Sequence, residues 1–171
     1  MNKCIFLDRD GVINKERGEY TFKVEDFEIL PGVLKGIKAL KEHGYLIIVI
    51  TNQAGISKGT YSRRDMQSCH EFFLNEAGPG MVDDIYYCPY HPTITESIAR
   101  KPDTLMFERA IAKYEIDPGK SWMLGDRERD LIPAKGLSMK TILHDKSISS
   151  DYADHYVLDF ASAVELILKE N

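Results

Sequence analysis

Short apolar runs alternate with amphipathic stretches along the chain, the pattern of a parallel sheet covered by helices. Cys4-Ile5-Phe6-Leu7 reads as a buried strand that stops at Asp8. Residues 32–43 place Val33, Ile37 and Leu40 at helical spacing, and Gly44 supplies the stop. The continuous apolar run from Tyr45 to Ile50 is rich in β-branched residues, as expected of a central strand buried on both faces. Over 62–76, Ser62 caps a helix with Met66, Cys69, Phe72 and Phe73 on one side. A third strand is predicted at 84–87, followed by a long loop over 88–101 and a helix at 103–114. A strand at 121–124 and a helix from about 128 to 135 come next. Segments 139–143 and 155–158 read as late strands, and 160–169 as a closing helix. The order is β-α-β-α-β-α-β-α-β-β-α, with no internal repeat or linker. It predicts one α/β domain over 1–171, a doubly wound, Rossmann-like parallel sheet in three layers.

Ligands of such sheets bind at the carboxyl ends of the strands, so the residues there carry the candidate chemistry. The first strand ends in Asp8-Arg9-Asp10-Gly11. Two carboxylates at i and i+2 project to one side of an extended chain, where they need a metal or a shared proton to coexist. The second strand ends in Thr51-Asn52-Gln53-Ala54-Gly55, where a hydroxyl, an amide and backbone N–H groups near a glycine suit phosphate oxygens. Arg100-Lys101-Pro102-Asp103 sets two cations before a helix start, an arrangement that a bound anion would relieve. The fourth strand ends in Gly125-Asp126, with Asp130 about one helical turn further on. Each motif alone also reads as ordinary turn or helix-start chemistry. Four such sets on one rim make independent coincidence improbable.

Charge and composition narrow the partner. Apolar residues make up 43% and charged residues 29%, a globular balance that argues against disorder. A net charge of −5, with no basic stripe, argues against nucleic acid and membrane surfaces and leaves a small phosphorylated metabolite. Cys4, Cys69 and Cys88 are too few for a disulfide scaffold, which fits a reducing, cytoplasmic compartment. The apolar run at the amino terminus is too short for a signal peptide, and no stretch approaches the roughly 18 apolar residues of a membrane span.

The four strand-end sets resemble the four motifs of the haloacid dehalogenase (HAD) superfamily of phosphohydrolases. FLDRDGVIN, LPGV, VITNQAGISKG, YYCPYHP, RKP and GDRERD are further similar to the D-glycero-D-manno-heptose 1,7-bisphosphate 7-phosphatase family, with histidinol-phosphate phosphatases sharing much of the pattern. The resemblance implies a Mg²⁺-dependent phosphomonoester hydrolase of carbohydrate metabolism, serving lipopolysaccharide precursor synthesis. The core fold takes up nearly all of the 171 residues, so no cap domain is expected, and a monomer is expected. By position, Asp8 is the implied nucleophile and Asp10 the general acid/base. Mg²⁺ is implied on the carboxylates of Asp8 and Asp126 and the main-chain carbonyl of Asp10, supported by Asp130 through water or Lys101. Thr51 and Lys101 are implied to hold the phosphoryl group, and Asn52, Arg100 and Arg127 to contact the substrate. The family commonly carries structural zinc before RKP, through Cys-Pro-His and a later Cys-x-Cys. Here Cys88 remains, but Tyr90 takes the histidine position and both later cysteines are missing, so zinc is not expected. A phosphate-binding receiver module is the reading from another class. It needs its phosphorylated Asp at the end of the third strand, where this chain has Tyr87-Cys88.

Overall fold

The computed structural model describes residues 1–144, 147 and 149–170. Six strands form one parallel sheet in the order β3-β2-β1-β4-β5-β6: β1 (Lys3–Leu7), β2 (Tyr45–Asn52), β3 (Asp84–Cys88), β4 (Trp122–Gly125), β5 (Lys140–Leu143) and β6 (His155–Tyr156). The helices are α1 (Val33–Glu42), α2 (Arg63–Ala77), α3 (Leu105–Tyr114), α4 (Glu128–Gly136) and α5 (Phe160–Lys169). Strand order reverses at β1, which pairs with β2 on one side and β4 on the other, so the sheet is doubly wound as the pattern predicts.

The pleat of the strands sorts their side chains between two apolar layers. On one face Ile5, Leu7, Ile47 and Val49 pack with Val33, Ile37 and Leu40 of α1, Cys69 and Phe73 of α2, and Phe160 and Ile167 of α5. On the other, Cys4, Phe6, Ile48 and Ile50 meet Met106 and Phe107 of α3 and Leu131 and Ala134 of α4. Fully burying each of these larger side chains is worth about 1.5–3 kcal/mol, which is why a central strand so uniformly apolar lies under helices on both sides. Gly36 lets α1 close on α5: a Cβ there would lie 2.7 Å from the Phe160 ring. Ser62 caps α2 with its own oxygen and receives the Asp65 carboxylate in return, a reciprocal capping box. Cys4, Cys69 and Cys88 are all buried and free. No helix among the described residues is long and apolar enough to cross a membrane.

Some predicted boundaries move. The helix expected from 103 begins at Leu105, because residues 100–103 form a turn closed by the Asp103 N–H on the Arg100 carbonyl at 2.8 Å. Lys101 is meanwhile tied to the end of β2 by Asn52. The strand expected over 155–158 shortens to His155–Tyr156 at the sheet edge, where Leu158 is exposed. Short 3-10 turns at Val24–Asp26 and Pro118–Lys120 carry no periodic signal and were not foreseen.

Candidate active site

The ends of β1, β2 and β4 converge with Lys101 on one pocket. The Asp8 N–H donates to the Leu124 carbonyl at 3.0 Å, extending the β1–β4 ladder by one rung and aiming the carboxylate inward. The chain then turns sharply: the Arg9 carbonyl accepts from the N–H groups of Ile13 (2.8 Å) and Asn14 (3.1 Å). Gly11, at φ 86°, stands where a Cβ would lie 2.3 Å from Asp126 Oδ2, so only glycine lets this turn press on Asp126. Gly125 plays the same part for Asp130, whose Cβ would be 2.4 Å from an added Cβ.

Asp8, Asp126 and Asp130 are buried, with one carboxylate oxygen from each within 4.8 Å of the others. The Lys101 ammonium reaches Asp8 Oδ1 at 2.8 Å, Asp130 Oδ1 at 2.7 Å and the Ile50 carbonyl at 2.6 Å. Burial, then the charge of Asp130, pushes the Asp8 carboxyl up to about 6 against the pull of Lys101. Burial, then the charges of Asp8 and Asp130, pushes Asp126 up to about 8, with Arg127 and Arg129 opposing. Burial works against the Lys101 charge, but Asp130 and Asp8 outweigh it and hold its pKa above that of an ordinary lysine. One ammonium among three carboxylates leaves the cluster short of positive charge, and Asp126 Oδ1 is buried with no hydrogen-bond partner. An oxygen-only donor set with an unpartnered buried oxygen fits a hard divalent cation such as Mg²⁺.

Asp10 is arranged otherwise than its spacing predicts. The chain bends at Arg9, and the Asp10 carboxylate lies outside the cluster of Asp8, Asp126 and Asp130. Instead Arg9 forks onto it, Nε to Oδ2 at 3.1 Å and a terminal nitrogen to Oδ1 at 2.9 Å. Asn14 Nδ2 donates to Oδ1 at 3.0 Å and Gln53 Nε2 to Oδ2 at 3.4 Å. Arg9, only 2% exposed, thus resolves the like-charge problem for which the sequence suggested a metal or a shared proton.

At the end of β2 the Thr51 hydroxyl oxygen accepts from Gln53 Nε2 at 2.9 Å. Asn52 Oδ1 accepts from the Lys101 N–H and Asn52 Nδ2 donates to the Lys101 carbonyl, both at 3.1 Å, so this side chain pins the lysine backbone. Asn52 also lines a cavity of about 820 Å³ together with Asp10, Tyr20, Tyr61, Arg127 and Arg129. Arg127 Nε lies 3.4 Å from Asp126 Oδ2. Arg100 is turned away from that lining: it donates to the Tyr90 carbonyl at 3.1 Å and borders a separate groove with Pro92 and Ile98. The loop over 88–101 is tied further by Ser57, whose N–H donates to the Pro89 carbonyl (3.1 Å) and whose Oγ accepts from the His91 N–H (2.9 Å). Arg17, in the loop between β1 and α1, is committed to Glu19 (2.7 Å) and Asp26 (2.9 Å).

Sequence reading passed over Arg9, Gln53, Tyr61 and Arg129. A charged residue inside a segment that must be buried is the signal that marks Arg9. Arg129 is signalled by its place between two acids at a helix start, and Tyr61 by nothing local.

The HAD-hydrolase-like family model matches residues 98–159, which contain Lys101, Asp126 and Asp130. The chain is 36% identical over 176 residues to D-glycero-beta-D-manno-heptose-1,7-bisphosphate 7-phosphatase of Haemophilus ducreyi, covering 96% of each chain. It is 42% identical over 137 residues to D-glycero-alpha-D-manno-heptose-1,7-bisphosphate 7-phosphatase of Photorhabdus laumondii, covering 75% of this chain and 74% of the relative. Among solved structures, D,D-heptose 1,7-bisphosphate phosphatase from B. bronchiseptica, complexed with magnesium and phosphate, superposes with a TM-score of 0.86 at 25% identity, covering 99% of both chains.

Proposed function

The chain belongs to the D-glycero-D-manno-heptose-1,7-bisphosphate 7-phosphatase family of HAD phosphohydrolases, and from that premise we propose that it removes the 7-phosphate of D-glycero-D-manno-heptose 1,7-bisphosphate in the cytoplasm. The observation that carries this reading is the buried Asp8–Lys101–Asp130 ion triad, with the unpartnered Oδ1 of Asp126 beside it, next to a cavity whose rim holds Arg127 and Arg129. The triad suits attack on a phosphomonoester, and the two arginines suit a second phosphate on the same small molecule.

Asp8 attacks phosphorus in line, and the bond to the sugar O7 breaks as an aspartyl-phosphate forms. Asp10 gives its proton to O7, then takes one from the water that cleaves the aspartyl-phosphate, releasing inorganic phosphate and restoring Asp8. Lys101 and the Thr51 hydroxyl hold the equatorial oxygens of the phosphoryl group. Asn52 fixes the Lys101 backbone and, with Arg127, contacts the substrate. Arg100 is the substrate contact that must first turn from Tyr90. The carboxylates of Asp8 and Asp126 and the Asp10 carbonyl would hold Mg²⁺, and Asp130 orients Lys101 beside them. When bound, that ion supplies the positive charge that lets an anionic nucleophile approach an anionic phosphate. The reading requires no zinc, since the loop over 88–101 is tied down through Ser57 and Arg100.

The test is kcat/KM with Mg²⁺ over both heptose bisphosphate anomers, sugar monophosphates and histidinol phosphate. One bisphosphate anomer is expected to exceed every monophosphate by at least about 10-fold, the worth of one charge-assisted contact. Histidinol phosphate hydrolysed as well as the bisphosphates would move the substrate and leave the reaction class standing.

Metal binding should compete with protons. Asp8 and Asp126 hold protons in the folded protein, near 6 and 8, that the unfolded chain releases near 4. In metal-free protein their contribution is therefore fully favourable below about pH 4 and is lost as pH rises through 6 and 8. Millimolar Mg²⁺ should raise the melting temperature by about 5 °C at pH 8.5 and by less than about 1 °C at pH 5. Equal shifts at the two pH values would remove these carboxylates from the metal site.

A further inference from the structure

Gln53 is 1% exposed, and both ends of its amide are engaged. Nε2 donates one hydrogen to Thr51 Oγ1 at 2.9 Å and the other toward Asp10 Oδ2 at 3.4 Å. Oε1 accepts from the Tyr61 hydroxyl at 2.7 Å, while the Gln53 backbone N–H is fixed on the Cys88 carbonyl at 2.7 Å. The amide can stand only this way round, because a flipped one would set Oε1 against the Asp10 carboxylate. Tyr61 is itself clamped. Its ring stacks on Phe22 at 5.2 Å and 6°, and a Cβ on Gly55 would lie 2.1 Å from it.

Two consequences follow for the reacting groups. The Thr51 oxygen already accepts a hydrogen bond from Gln53, so its own hydroxyl hydrogen is left to donate outward, the direction a phosphoryl oxygen requires. Among the described residues Asp10 is tethered from the β2 side through the same amide, so the proton carrier and the phosphoryl-holding hydroxyl share one frame. We propose that Gln53, its amide oriented by Tyr61, is a positioning residue that fixes Thr51 as a donor and sets the Asp10 carboxyl relative to the leaving oxygen. This rests on the phosphatase reading above. Neither Gln53 nor Tyr61 needs to touch the substrate. Their effect falls on the chemical step, because it depends on alignment rather than on additional binding.

The experiment is steady-state kinetics of Gln53→Leu, Tyr61→Phe and the double variant, with Asp8→Asn measured beside them and melting curves taken on all. Gln53→Leu should lower kcat by about 10- to 100-fold with KM within about threefold of the parent, the pattern of lost alignment. Tyr61→Phe keeps the ring and its stacking, and should lower kcat by about 3- to 10-fold through the amide alone. The double variant should match Gln53→Leu, since the hydroxyl acts only through the amide. A raised KM at parental kcat, a Gln53→Leu kcat within twofold of the parent, or losses that multiply would each overturn the proposal. If Gln53→Leu fails to fold, Tyr61→Phe decides alone, and a parental kcat in it overturns the proposal. Absence of phosphomonoester hydrolysis in the parent protein instead sinks the phosphatase reading itself, and activity retained in Asp8→Asn moves only the nucleophile, so the failures are distinguishable.

Discussion

Asp8→Asn abolishes turnover, by about 10⁴-fold or more, in a protein that remains folded. The amide has the shape of the carboxylate but cannot form the acyl phosphate, so the reaction loses its first covalent step. Its oxygen can still accept from Lys101, which lies 2.8 Å from Asp8 Oδ1 in the parent. Removing one of three crowded negative charges also removes the burial cost and the repulsion from Asp130 that together push the Asp8 carboxyl up to about 6. The melting temperature at pH 8 without metal should therefore hold or rise while activity disappears. Phosphate release and thermal melting on the same preparation check both halves. Near-parental Mg²⁺-dependent hydrolysis would assign the nucleophile elsewhere.

Lys101→Met fails on both counts. The ammonium is 1% exposed and bonded to two carboxylates and a carbonyl, and methionine leaves those three acceptors facing an apolar chain. Breaking a buried pair by removing one partner costs about 3–5 kcal/mol, or on the order of 10 °C in melting temperature for a chain of this size. Mg²⁺ should recover part of that loss by supplying the missing positive charge. Activity should fall by about 10³-fold even with metal, because the charge that meets the phosphoryl oxygens is gone. A Lys101→Met protein melting within about 2 °C of the parent would show that the triad adds little to stability.

How much of this was legible depends on the kind of signal. The apolar run over β2 and the 3.6-residue spacing of Val33, Ile37 and Leu40 are local patterns, and the elements they specify lie where expected. Asp8, Thr51, Lys101 and Asp126 stand at strand ends or beside them, so a rule about where such sheets bind ligands locates them without any knowledge of distances. The partnerships were not legible. Asp8 and Asp10 are two residues apart, yet one pairs with Lys101 and the other with Arg9, a choice set by the sharp turn over Gly11. Asn52 reads as a substrate ligand, but both atoms of its amide that reach the protein hold the Lys101 backbone. Arg100 likewise reads as a rim cation and is drawn to Tyr90 across a loop with no regular structure. Tyr61 lies in a segment between strand and helix whose composition says nothing about the stack it forms with Phe22. Pairings across a fold depend on backbone direction and packing, which hydrophobic period does not encode.

The reversal of strand order at β1 has a consequence for how the protein comes into being. Asp8 directly follows β1, whose ladder partner β4 is more than a hundred residues downstream. Until β4 is synthesised and inserted beside β1, Asp8 has neither the Leu124 carbonyl to aim it nor Asp126 and Asp130 to share an ion with. Metal affinity is thus a property of the finished sheet. A nascent chain that has not yet made β4 holds Asp8 in water, where it is an ordinary aspartate and chemically idle.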